Sequence, residues 1–150
     1  MNLVALGDVT EEFGDRVVDV PRADWRTAAT RARDDGLTYF DMLTAVDDGD
    51  VFTLVAYLWS PSESEGVLLR SAVPRAEPTV ASITPVFAGA DWHERETAEM
   101  YGLTFAGHPR PGPLLLPDPV AATGPVNPLR KDSALTRRTE TPWPGDAGPA

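Results

Sequence analysis

Two runs of strand-forming residues, 39–46 and 51–59, flank Asp47-Asp48-Gly49-Asp50. Gly49 can take positive φ, and aspartate side chains bond back to nearby backbone amides, so the four residues read as a turn. The two runs therefore pair as an antiparallel hairpin. A hairpin alone is marginal in water, so further elements must cover it. Val67–Val73, after the polar loop Pro61–Gly66, supplies a third strand, and Arg16–Val20 an earlier one. Between them Pro21–Asp35 reads as a helix. Its Trp25, Ala28, Ala29 and Ala32 recur at i, i+3, i+4 and i+7, and Gly36 is a natural stop. The order strand, helix, strand, strand, strand predicts an α+β fold. It is a small, mostly antiparallel sheet with helices on one face.

A chain of 150 residues is one domain by length. Its net charge of −10 disfavours nucleic acid and anionic membrane as direct partners. No apolar run is long enough to span a bilayer. Met1–Asp8 lacks the basic region of a secretory signal. Cysteine is absent, so disulfides and thiolate-held iron–sulfur clusters are excluded. A cytoplasmic location is the default expectation.

Residues 91–101 form a second predicted helix with no clean apolar stripe. Arg95, Glu96 and Glu99 fall around the same face as Trp92. That pattern predicts a helix wedged between protein surfaces, with its charges paired there. Asp91 is the expected N-cap, with Glu94 completing a capping-box pattern. Asp91 and Arg95 are spaced for an i, i+4 ion pair, and Gly102 fits the C′ position. Catalytic readings compete. His93-Glu94 begins like His-Glu-x-x-His, but Thr97 stands where the second histidine is required. His93, Glu96 and Glu99 still share one face and could hold a metal in a stand-alone hydrolase. Glu94, Glu96 and Glu99 could include a raised-pKa acid, or be balanced by Arg95. His108, between Gly107 and Pro109, is either a ligand or proton donor or a hydrogen-bonded turn histidine. No phosphate loop or nucleophile elbow occurs.

Ten of the fifteen prolines lie between Pro109 and Pro149. Such a segment cannot form regular helix or a central strand. The chain thus divides into an α+β domain at 1–108 and an extended docking arm at 109–150. From Thr139 onward disorder is expected. Leu114–Leu116 and Leu129 are candidate apolar anchors. The competing reading is an arm folded back over its own sheet. Arg130-Lys131 and Arg137-Arg138 are basic in an acidic chain, and Lys131 is its sole lysine.

Trp92, Glu94, Arg95, Glu96, Met100, Tyr101 and Gly102, followed by Gly107, His108 and Pro109, form a signature. It resembles that of the C subunit of NADH-quinone oxidoreductase, respiratory complex I. Glu99 stands where that family has Asp. Asn127–Asp132 is similar to the family's Gly-His-Pro-Leu-Arg-Lys-Asp, and Leu43–Asp47 is a weaker match. The resemblance implies a non-catalytic subunit of the peripheral arm, on the cytoplasmic side of the plasma membrane. It would pack against the quinone-site and terminal-cluster subunits. Flavin, iron–sulfur clusters and quinone would sit on those partners, with no cofactor on this chain. Trp92, Glu94, Arg95, Glu96, Glu99, Tyr101, Gly102, His108, Arg130, Lys131 and Asp132 become the expected signature and interface residues. The Pro-rich stretch Arg110–Asn127 departs from the family pattern. That departure leaves a ferredoxin- or hydrogenase-linked complex as an alternative, beside the hydrolase and a plain acidic adaptor.

Overall fold

The computed structural model describes residues 6–12, 14–116 and 127–133. Seven strands and two helices follow in order: β1 (Asp8–Glu12), β2 (Asp15–Asp19), α1 (Trp25–Asp34), β3 (Tyr39–Asp47), β4 (Val51–Ser60), β5 (Glu65–Pro74), β6 (Thr79–Ala81), α2 (Ala90–Tyr101) and β7 (Thr104–Ala106). A five-stranded sheet runs β1-β2-β5-β4-β3. Its pairings are antiparallel except β2 with β5, where Val18 lies opposite Leu69 in a parallel register. The predicted α+β class, with its largely antiparallel sheet, holds. The parallel pair arises because the chain crosses through α1 and the β3–β4 hairpin before returning beside β2. β6 and β7 form a separate two-stranded parallel ribbon.

The central hairpin forms as its sequence directs. Asp48 N–H donates to Val51 O at 3.0 Å, and Gly49 takes φ +88°. Gly49 N–H donates to Asp47 Oδ1 at 3.0 Å, the aspartate's local bond. β4 then alternates strictly, burying Phe52, Leu54, Ala56, Leu58 and Ser60 on one face. Against that face pack Trp25, Ala28, Ala29 and Ala32 of α1. The alanines let the helix approach closely. Each fully buried leucine removes enough apolar area to contribute about 2 kcal/mol, before chain entropy is counted.

α1 ends in a Schellman motif. Gly36, at φ +108°, donates to Arg33 O at 3.0 Å, and Leu37 N–H reaches Ala32 O at 3.0 Å. Leu37 is fully buried, supplying the motif's hydrophobic contact. Both helices add side chains to the same core cluster, so they lie on one face of the sheet, as expected.

Candidate functional site

The N-cap of α2 lies two residues earlier than its sequence suggests. Ala90 N–H bonds Phe87 O at 3.0 Å and Asp91 N–H bonds Ala88 O at 3.3 Å. A preceding turn thus runs straight into the helix, Gly89 holds the N-cap position, and no side chain caps it. The expected Asp91 cap and capping box are therefore absent. Asp91 instead points inward, and Arg110, not Arg95, is its ion partner.

Glu94 is fully buried. Its Oε1 accepts Ile83 N–H at 2.6 Å, and Oε2 accepts the Thr84 hydroxyl at 3.2 Å. It pins the chain ahead of the helix. Burial pushes its carboxyl above the ordinary value, while Ser82, Ile83, Thr84 and His108 oppose that rise. His108 is buried beside it. Its Nδ1 accepts Arg110 N–H at 3.0 Å, which leaves the ring proton on Nε2. Nε2 lies 3.1 Å from Asp91 O and 3.2 Å from Asp91 Oδ1. One proton cannot serve both well, and Oδ1 is left without a directed donor. His108 is thus a hydrogen-bonded turn histidine that ties the Gly107–Arg110 turn to α2. A cleft of about 170 Å³ opens beside it, lined by Glu94, Arg95, Phe105, His108 and Gly112.

Two outer charges of α2, Arg95 and Glu99, are satisfied by the chain itself. Arg95 Nε donates to Gly112 O at 3.2 Å, and its Nη2 to Pro113 O. Glu99 accepts the backbone N–H of Leu114 and Leu115, each at 2.8 Å, and of Leu116 at 3.4 Å. Arg95 and Glu99 thus hold the 112–116 segment against α2. The proposed metal triad fails. His93 Nδ1 sits 3.2 Å from Leu43 O on β3, with its ring edge-on to Phe40. Glu96 faces solvent and Glu99 holds the 114–116 amides. Among the described residues no group of three His, Cys, Asp or Glu is placed to hold a metal ion. Trp92 remains 66% exposed.

The C-terminal end of α2 is where the motif blocks converge. Gly102 takes φ +73° as the expected C′ residue, and its N–H reaches Ala98 O at 2.8 Å. The next three carbonyls would be orphans. Asn127 Nδ2 donates to Glu99 O at 2.8 Å, Leu129 N–H to Met100 O at 3.1 Å, and Arg130 Nε to Tyr101 O at 2.6 Å. One downstream segment caps the helix, and Arg130 places its charge at the favourable end of the dipole. A Cβ on Gly102 would stand 2.3 Å from Arg130 Nη2 and 2.8 Å from Asn127 Oδ1.

The same segment reaches the hairpin turn. Asp47 Oδ2 accepts Lys131 N–H at 2.8 Å, and Oδ1 accepts Arg75 Nη2 at 2.6 Å. Arg75 also contacts Asp132 at 3.3 Å. Arg75 and Arg130 lie 4.9 and 5.3 Å from the Phe52 ring centre, two guanidiniums on one aromatic. Arg75, with the Lys131 and Gly49 amides, holds the Asp47 carboxyl well below the usual range. Burial, and then the charges of Asp47 and Glu96, raise the Tyr101 phenol. Sequence reasoning missed Arg75, Arg110 and Phe52, because nothing local in the sequence marks a contact made far along the chain.

Residues 18–139 match the family model described as respiratory-chain NADH dehydrogenase, 30 Kd subunit. The chain belongs to that family. The matched span contains the hairpin turn, the α2 signature and the capping segment. The chain is 35% identical over 139 residues to the NADH-quinone oxidoreductase C subunit of Nocardioides sp., covering 88% of this chain and 54% of that protein. It is 37% identical over 142 residues to the protein of the same description from Brucella abortus, covering 87% and 67%. The chain thus spans about half to two thirds of the length of these relatives of the 30 Kd subunit family. Among solved structures, Nqo5 of a trypsin-resistant fragment (1–134) superposes with a TM-score of 0.64 at 22% identity, over 69% of this chain and 88% of that one. A structure titled as the membrane-bound sulfane sulfur reductase, an archaeal respiratory membrane complex, gives 0.68 at 17% identity, over 87% and 78%. These two likenesses establish a shared fold.

Proposed function

We propose that this 30 Kd family member is a non-catalytic peripheral-arm subunit of an NADH-quinone oxidoreductase. In this reading it supports electron transfer from NADH to quinone, coupled to proton translocation. It sits at the cytoplasmic side of the plasma membrane, against the quinone-site and terminal-cluster subunits. Flavin, iron–sulfur clusters and quinone belong to those partners. The family match across residues 18–139 carries the reading. The chemistry of the α2 junction supports it. Asp91, Glu94, Arg95, Glu99, His108, Arg130 and Asp47 all bond this chain's own backbone or side chains. Such residues shape a surface more than they perform a reaction. Tyr101, Gly102 and Lys131 join them through backbone groups and Asp132 through Arg75, and Trp92 and Glu96 are left to face a partner.

The test is recovery from native membranes. The tagged full chain should co-purify with flavin- and cluster-bearing subunits. Its deletion should abolish NADH-to-quinone electron transfer, and the chain should restore it. Recovery of the tagged chain free of them, with that activity intact in the deletion strain, would overturn the proposal.

A further inference from the structure

Both helices cover one face of the five-stranded sheet, and no helix among the described residues contributes to the other. Strand register places Tyr39, Met42, Val55, Tyr57, Trp59 and Leu68 together on that open face. Tyr39 is 55% exposed and the other five are partly exposed. An exposed apolar patch of this kind on a sheet marks an interaction site. The patch is also held in shape. Tyr57 reaches across β5 at Gly66 and donates to Asp15 Oδ1 on β2 at 3.2 Å. A Cβ on Gly66 would lie 1.9 Å from the Tyr57 hydroxyl and 3.0 Å from the Trp59 ring. The missing side chain lets the two aromatics lie down as a flat floor.

Charge on this face is one-sided. Asp8, Glu12, Asp15 and Asp19 share its β1–β2 flank, and Asp41 stands at the β3 bulge. Arg70 bonds Asp19 at 2.6 Å and Glu12 at 3.0 Å, leaving the flank negative. A second copy would set the same carboxylates against these, and an anionic membrane would be repelled.

We infer that the open sheet face, floored by Tyr57 and Trp59, is a docking surface for a protein partner with an apolar centre and an arginine- or lysine-rich flank. The inference rests on the proposed place in the oxidoreductase, where such a partner would be a neighbouring subunit. Val46, opposite Thr53 on the same face and 48% exposed, is a further anchor. Two full-length double variants test the inference in the native complex: Asp8→Lys with Asp41→Lys, and Tyr39→Ser with Val46→Ser. Each should leave the melting of the isolated chain unchanged. Each should lower the share of chain recovered in the complex by roughly tenfold, as opposed charges and truncated anchors do. Restoration of assembly by a matching charge reversal on the neighbour would identify the flank. Variants that assemble like the parent would overturn the docking surface while leaving the proposed function intact. A parent chain that never associates with the oxidoreductase would overturn both. Sedimentation showing a dimer that Tyr39→Ser abolishes, or binding to anionic phosphatidylglycerol vesicles, would reassign the face to a second copy or to lipid.

Discussion

Gly102 answers two demands. Its position after Tyr101 marks a helix stop that needs positive φ, and φ is +73°. The second demand comes from Arg130 and Asn127, which occupy the space a Cβ would take. Gly102→Ala should therefore cost about 2 kcal/mol or more, since left-handed backbone strain alone is of order 1–3 kcal/mol for a non-glycine residue. A urea midpoint equal to the parent's would show that the capping segment does not press on this residue. Two carboxylates should titrate with opposite sign. Burial raises Glu94, so its contribution is fully present below its unfolded pKa and is lost as pH rises through the folded one. Asp47 is depressed, chiefly by Arg75, so its contribution is present above its unfolded pKa and is lost as pH falls below about 4. Asp47→Asn should flatten the acid limb of stability measured by urea midpoint from pH 6 down to pH 2. A limb as steep as the parent's would assign the acid sensitivity to other carboxylates.

Among the elements, those with a strong local period were legible and those defined by distant contacts were not. The alanine stripe of α1 and the Asp-Gly turn between β3 and β4 specify themselves. β1 is Asp-Val-Thr-Glu-Glu, an acidic edge strand with little apolar alternation, and went unread. β6 and β7 are three residues each, too short to show a period. α2 was legible as a helix but not in its partners, because charges on a helix face do not say which segment will pair with them. The arm shows the same limit. Residues 109–116 and 127–133 lie on the chain's own domain through Arg95, Glu99 and Asp47, while residues 117–126 and 134–150, with the expected disordered end, lie outside the described residues. Glu99→Ala removes the acceptor of three arm amides, and hydrogen bonds to a charged group contribute about 1.5–3 kcal/mol. The expected loss is about 2 kcal/mol, with faster amide exchange at Leu114 and Leu115. Arg95→Ala exposes two carbonyls that water can reach, so it should cost under about 1 kcal/mol. Exchange at 114–115 unchanged by Glu99→Ala would mean that this part of the arm is held by something other than α2.

At the scale of the whole molecule, the internal use of so many charges narrows what is left for partners. The α2 ridge offers Trp92 at 66% exposure, beside Glu96, and the segments it holds add Leu115 and Leu129 at 58% and 51%. That is a second surface, on α2 and its strap rather than on the open sheet face. Tryptophan is the residue type most often found to dominate an interface, because one side chain buries a large rigid area at little entropic cost. In the isolated chain Trp92 has little packing to lose, so Trp92→Ser should change stability by less than about 0.5 kcal/mol. In the proposed oxidoreductase assembly the same change should cost about 2 kcal/mol or more, the range of a central anchor. If the helix ridge and the sheet face meet different neighbours, their effects on assembly should add when Trp92→Ser is combined with Tyr39→Ser, since separate sites rarely couple. The measurement is the share of chain in the complex for each single variant and the pair. A Trp92→Ser chain that assembles as fully as its parent takes the α2 ridge out of the interface. A pair no weaker than its worse member would mean that the two surfaces grip one partner as a unit.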